Sequence, residues 1–182
     1  MYFEEKGVEN TETTLKLAIE TAHNRGIKHL VVASNSGETV LKIEQSNHMN
    51  IVCVTHVNGF EEPGLNELPD EIRKELQDKG VKVLTTTHVL SGAERGLSKR
   101  FGGINPVEII AHSLRMMGQG TKVCVEIATM ALDSGLIPYG EPIIAVGGTI
   151  EGADTAVIIT PSHASRILDT KIHEIICKPY KI

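Results

Sequence analysis

The sequence predicts an α/β layered domain built on a largely parallel sheet, and three observations carry that prediction. Helix and strand patterns alternate along the chain, the signature of parallel strands joined by helical crossovers. The strand-type stretches are short continuous apolar runs, such as Leu30-Val31-Val32-Ala33 and Ile51-Val52-Cys53-Val54, as expected for strands covered on both faces. The turns after these runs are rich in hydroxyls, whereas those before them, Gly26-Ile27-Lys28, Asn47-His48-Met49 and Asp78-Lys79-Gly80, are ordinary polar turns.

From Thr11 to Arg25, Leu15, Leu17, Ala18 and Ala22 fall at helical spacing, with Asn10 or Thr11 as N-cap and Gly26 as C-cap. His29 to Ser34 reads as a strand, Glu38 to Gln45 as a helix and Asn50 to Thr55 as a second strand, which makes one βαβ unit. A loop with Pro63 and Gly64 leads to a helix from Pro69 to Lys79 and a strand from Val81 to Leu84, ending in Thr85-Thr86-Thr87. Residues 88–104 are polar and Gly-rich and read as a loop. Pro106 opens a helical pattern over 106–117, and a second runs over 121–134. Strands at Pro142 to Val146, Thr155 to Thr160 and Ile172 to Cys177 complete the sheet.

Composition narrows the functional classes. A chain of 182 residues with 41% hydrophobic residues suits a single domain over 1–182 with a sizeable core. The formal charge of −5 argues against a nucleic-acid or anionic-membrane surface, and 3% aromatics without Trp leaves few stacking platforms for single strands. Cys53, Cys124 and Cys177 lie far apart and form no C-x-x-C pair, so neither a zinc site nor a disulfide framework is expected, and a reducing cytoplasm is the expected compartment. The start, Met-Tyr-Phe-Glu-Glu-Lys, has no leader-like apolar core, and no run approaches the roughly 18 apolar residues of a membrane span.

The most informative stretch is Leu30 to Thr39, an apolar run that ends in Ser34, Asn35, Ser36, Gly37, Glu38 and Thr39 and then opens a helix. Such a turn gathers hydroxyls and freed backbone N–H groups where an anion such as phosphate is favoured. Capping by Ser34 or Ser36 explains one hydroxyl of the run and not the rest. The other strand ends are equally polar: Thr55 and His56 after the second strand, Thr87 and His88 after the third, Gly147, Gly148 and Thr149 after the fourth. In open parallel sheets ligands bind outside these carboxyl ends, so all these residues are candidates for one binding site.

Other signals are weaker. The first turn has a single glycine, Gly37, so the G-x-G-x-x-G dinucleotide fingerprint is missing, as are a Walker loop and a nucleophile elbow. His56, His88 and Glu126 are the candidates for acid–base work, against the plain alternative of histidines bonded to backbone and a carboxylate facing solvent. Arg95, Lys99 and Arg100 form a basic cluster that reads either as a solvated loop or as a second anion contact. Ser162, His163 and Asp169 are close in sequence, but a triad is defined by geometry. Cys53 and Cys124 fall in core elements and read as small buried hydrophobes.

Two blocks of sequence resemble the C-terminal α/β domain of pyruvate kinase, in the stand-alone form found in archaea and bacteria. The first is the helix, then Leu-Val-Val-Ala-Ser-Asn-Ser-Gly-Glu-Thr, a helix and Asn-Ile-Val-Cys-Val-Thr. The second runs from Val125-Glu126-Ile127-Ala128-Thr129-Met130-Ala131 through Gly135-Leu136-Ile137 and Gly140-Glu141-Pro142 to Gly147-Gly148-Thr149 and the strand at Thr155 to Thr160. The resemblance covers over half the chain and implies a three-layer α/β/α sandwich, mostly parallel with an antiparallel edge strand. It also implies that the Ser34–Thr39 turn holds a phosphate and that residues 147–152 close over the ligand. Residues 88–122 depart from the family pattern as an insertion. The kinase residues that bind magnesium and phosphoenolpyruvate have no counterpart here, and pyruvate kinase activity is not expected.

Glu38 follows Gly37 where a cation would suit a bisphosphate, so the ligand expected is a single phosphate with an attached apolar or aromatic group. FMN fits that description, with Leu90, Leu97 or Phe101 covering its ring. Another phosphorylated metabolite with the same anchor fits equally. Two other classes stand beside this one: an enzyme using His56, His88 or Glu126 on the ligand or beside a flavin, and an interaction module without a small molecule. Ser36→Ala and Gly37→Val are expected to weaken binding and leave the fold intact. The kinase domain packs against copies of itself, so the resemblance also makes the strand Ile172 to Cys177 a candidate to pair or pack in a homodimer, which the sequence alone does not decide.

Overall fold

The computed structural model describes residues 1–43 and 49–181. Among the described residues seven strands form one sheet in the order β1-β7-β6-β5-β2-β3-β4. They are β1 (Tyr2–Phe3), β2 (His29–Ala33), β3 (Asn50–Val54), β4 (Lys82–Leu84), β5 (Ile143–Gly147), β6 (Thr155–Thr160) and β7 (Lys171–Pro179). The helices are α1 (Thr11–Arg25), α2 (Glu38–Leu41), α3 (Asp70–Asp78), α4 (Gly92–Phe101), α5 (Pro106–Arg115) and α6 (Gln119–Asp133). β5, β2, β3 and β4 run parallel, as do β1 and β7. The antiparallel pairings, β5 with β6 and β6 with β7, lie on the β7 side of the sheet.

Alternation along each strand divides the core into two layers. Leu30, Val32, Ile144 and Val146 face α1 through Leu15, Ala18 and Ala22, with Leu68 and Leu76 extending the same layer over β3. Val31, Val52, Ala145 and Val157 face α6 through Cys124, Ile127, Ala128 and Ala131. α6 is buried along almost its whole length because the sheet lies on one side and α5 on the other. The domain is thus a three-layer α/β/α sandwich.

Most elements fall where their patterns place them, and the departures are physical. Residues 88–104 are not a plain loop, because α4 forms within them despite Gly92, Gly96 and Gly102. Side chains hold it: Asn105 Nδ2 donates to the Glu94 carbonyl at 3.0 Å and to Ser98 Oγ at 2.7 Å, and Glu94 Oε2 accepts from the Val107 N–H at 2.9 Å. α2 is a single turn after Gly37, which adopts φ 87° as its N-cap, and neither Ser34 nor Ser36 caps it. The remainder of the helix expected to Gln45 lies outside the described residues. β1 carries no readable pattern at two residues, and it covers β7 only at Lys178 and Pro179. No helix among the described residues is long and apolar enough to cross a membrane.

β4 sits at one edge of the sheet, and the chain must return past β3 and β2 to place β5 on the far side of β2. Strand order therefore reverses between β2 and β5. Outside their carboxyl ends lies a crevice between the turn after β2 and the loop after β5.

Candidate functional site

A cleft of about 640 Å³ occupies this crevice on the α6 side of the sheet. Its floor is the ends of β2 and β3, from Ala33, Val54 and Thr55, and its back wall is α6, through Gln119, Val123, Glu126, Ile127 and Met130. The loop Gly148–Gly152 forms one rim, and His56, Phe60, Glu61 and His88 form the opposite one.

The candidates divide. Asn35, Thr55, His56, His88, Gly148 and Thr149 line the cleft, together with Glu126. Ser34, Gly37 and Thr39 are buried beside it, while Ser36 and Glu38 are exposed, and none of these five reaches the lining. Gly37 faces the other layer: a β-carbon there would come within 2.5 Å of Ile72 Cγ2 and 2.9 Å of Leu68 Cδ1. Gly37→Val therefore breaks packing against α3 and does not leave the fold intact, contrary to expectation. Gly147 lies against α6 instead of the cleft, since a β-carbon would sit 2.9 Å from the Gly120 carbonyl oxygen. Thr87 opens into a neighbouring groove of about 340 Å³ that shares Phe60 and His88 with the cleft.

The expected ring cover is corrected as well. Leu90 is 2% exposed and part of the core, while Leu97 and Phe101 project into solvent from α4 and line neither cavity. The aromatic that is present is Phe60, stacked on His56 with centroids 3.8 Å apart and 5.5 Å from the His88 ring. Phe60 was not legible as a site residue, because a lone Phe between Gly59 and Glu61 in a loop carries no pattern.

The strand ends are locked by a polar chain. Thr55 Oγ1 and Thr85 Oγ1 share a hydrogen bond at 2.7 Å, Arg73 donates to Thr85 Oγ1 and to Asn66 Oδ1, and Asn66 Nδ2 donates to the His56 carbonyl at 2.8 Å. His56 Nδ1 lies 3.3 Å from Glu67 Oε2, close but without hydrogen-bond geometry. Burial lowers the His56 pKa below its ordinary value against the opposing pull of Glu67. His88 is lowered in the same way, by burial first, with Glu126 opposing. Burial thus favours the neutral form of both rings.

Glu126 faces inward and is occupied. Its Oε1 accepts the Leu90 N–H at 2.9 Å, and its Oε2 pairs with Lys122 one turn earlier, both side chains being more than nine-tenths buried. Burial pulls the Lys122 ammonium below its ordinary pKa, with Glu126 restoring part of the shift. The pairing makes Glu126 a positioning residue for the chain beyond His88. His163 meets Asp133 at 2.6 Å, not Asp169, so the order Ser162, His163, Asp169 forms no triad. Among the described residues no three His, Cys, Asp or Glu side chains gather to hold a metal. Cys53, Cys124 and Cys177 are all buried and unpaired.

These features define an α/β domain with a ligand-sized cleft at its topological switch point. The family model for the pyruvate kinase alpha/beta domain matches residues 12–159, and the chain belongs to that family. Among solved structures it is similar to the pyruvate kinase of Cryptosporidium parvum. One structure of that enzyme matches at 19% identity, 86% coverage of this chain and a TM-score of 0.41, and a second, in complex with ADP, at 20% identity, 85% coverage and 0.42. The chain spans 24% of the length of those enzymes.

Proposed function

We propose that the cleft binds a phosphorylated small molecule carrying a flat ring, FMN being the expected ligand of that class. The observation that carries this reading is the placement of the cleft: about 640 Å³ at the switch point, between the Ser34–Thr39 turn, which contributes Asn35, and the Gly148–Gly152 rim. The phosphate sits against the turn and the ring lies toward Phe60, His56 and His88. Ile150 in the rim holds a left-handed φ of 69°, costly for a β-branched residue, and is 88% exposed above the cleft. The three buried reduced thiols accord with a cytoplasmic protein.

The neutral histidine pair favours a second reading, in which the same ligand is acted upon. Two uncharged imidazoles with ring centroids 5.5 Å apart at a cleft mouth are suited to proton transfer. The experiment is titration of FMN and a panel of phosphorylated metabolites into the protein and into Asn35→Ala and Ser36→Ala. The reading expects binding that weakens at least tenfold in Asn35→Ala, which removes a cleft-lining side chain, and little change in Ser36→Ala, whose exposed side chain lies outside the lining, each with an unchanged melting temperature. Turnover lost in His56→Ala or His88→Ala with binding retained identifies the enzyme. Absence of binding to every ligand of the panel refutes both.

A further inference from the structure

We infer that the groove beside the cleft is a second anion-binding subsite, formed by Arg95 and Lys99 of α4, and that it selects, within the proposed class of phosphorylated ligands, those with an anionic group at the end away from the phosphate over FMN, whose oxidised ring is uncharged. The inference rests on the reading above and adds a second charged end to the ligand. The groove, about 340 Å³, shares its Phe60–His88 wall with the cleft, so one extended molecule passes from one to the other. Arg95 and Lys99 are four residues apart on one face of α4, and Thr87 and Ser91 supply hydroxyls beside them. Arg100 of the same basic cluster does not line the groove.

The distribution of charge supports the assignment. The lining of the main cleft includes no lysine or arginine, so a second anionic group finds no cation there, whereas the groove offers two. Like charges at this helical spacing repel each other, and an anion bound between them removes that cost. Neither Arg95 nor Lys99 forms an ion pair among the described residues: Glu94 accepts from the Val107 N–H, and Glu108, which shares a small cavity with Arg95, accepts from the Asn105 N–H at 3.0 Å and from Ser98 Oγ. Two exposed cations thus point into a concave, hydroxyl-lined groove continuous with the cleft. A phosphate or a carboxylate meets that chemistry, and the guanidinium offers either one a bidentate contact.

The test is an inorganic phosphate titration followed by amide chemical shifts in the full chain and in Arg95→Gln/Lys99→Gln. Both substituted side chains are exposed, so shifts elsewhere report an unchanged fold. Saturable changes over residues 91–96 that weaken at least tenfold in the double variant, while those at residues 35–39 persist, establish the subsite. Changes at residues 91–96 without any at 35–39 keep the subsite and reject the turn as phosphate anchor. Changes confined to 35–39, or identical in the double variant, overturn the subsite and leave the proposed function standing. A linear, unsaturated response everywhere overturns both. Adipate, a dicarboxylate, titrated next separates the two anion chemistries: competition with phosphate over residues 91–96 assigns a group that accepts carboxylate, and its absence assigns one selective for phosphate.

Discussion

Glu126 Oε1 accepts the Leu90 N–H at 2.9 Å, and through that bond α6 holds the segment that carries His88 into the cleft. The other carboxylate oxygen pairs with Lys122, and the pair is buried between α6 and its neighbours. Removing one partner leaves an uncompensated buried charge. Glu126→Ala is expected to lower stability by about 3–5 kcal/mol in urea denaturation, and Lys122→Met/Glu126→Gln, which removes the charge and keeps an acceptor for Leu90, to recover most of it. Equal losses in the two variants would show that the ion pair is not what the site stabilises.

The two cleft histidines predict an acid-side loss of stability. Each has a folded pKa below its ordinary value of 6.5, so the unfolded chain binds protons more readily than the folded one. Stability therefore rises with pH through this window, is fully present above 6.5 and declines as pH falls toward the lowered folded pKa values. Thermal melts from pH 8 to 5 should show that decline, reduced in His56→Gln/His88→Gln. A double variant that declines as steeply as the parent would place the acid sensitivity elsewhere.

Gly120 marks where α6 meets β6. A β-carbon there would stand 2.1 Å from Thr155 Oγ1 and 2.9 Å from Asp154 Oδ1, both buried. Gly120→Ala gains helix propensity, yet it is expected to destabilise by roughly 1–3 kcal/mol, because overpacking outweighs the propensity gain of about 1 kcal/mol. A stabilised variant would show that the helix end yields.

The thiols should be silent in the native protein. Burial pushes Cys53 up to about 12 and raises Cys124 and Cys177. Alkylation by iodoacetamide at pH 8 should follow global unfolding, with no fast fraction. A rapidly modified thiol would reveal local opening of the sheet.

Much of the fold could be read from the sequence because the core strands and α1 repeat their patterns over enough residues to be unambiguous. α4 was not legible, since its glycines mask the pattern and its stability comes from Asn105, Glu94 and Ser98 acting across a turn. The cleft was legible as a place and its lining less so as a list. Polar strand ends located the crevice, and Asn35, Thr55, His56, His88, Gly148 and Thr149 line it. Gln119 reaches it because the crossover from β4 to β5 lays α6 against the opening, and Phe60 because the loop between β3 and α3 lies at the same strand ends. Glu126 could not be assigned inward or outward, since Val125 and Ile127 flank it alike, and the decisive partner is Lys122 one helical turn away.

The most direct measurement is the absorbance spectrum of the protein purified without added ligand, with mass spectrometry of what denaturation releases. A phosphorylated molecule at near one equivalent is the predicted result, with flavin absorbance if it is FMN. A colourless protein that releases no phosphorylated compound, and whose melting temperature no phosphorylated metabolite raises, would contradict the account.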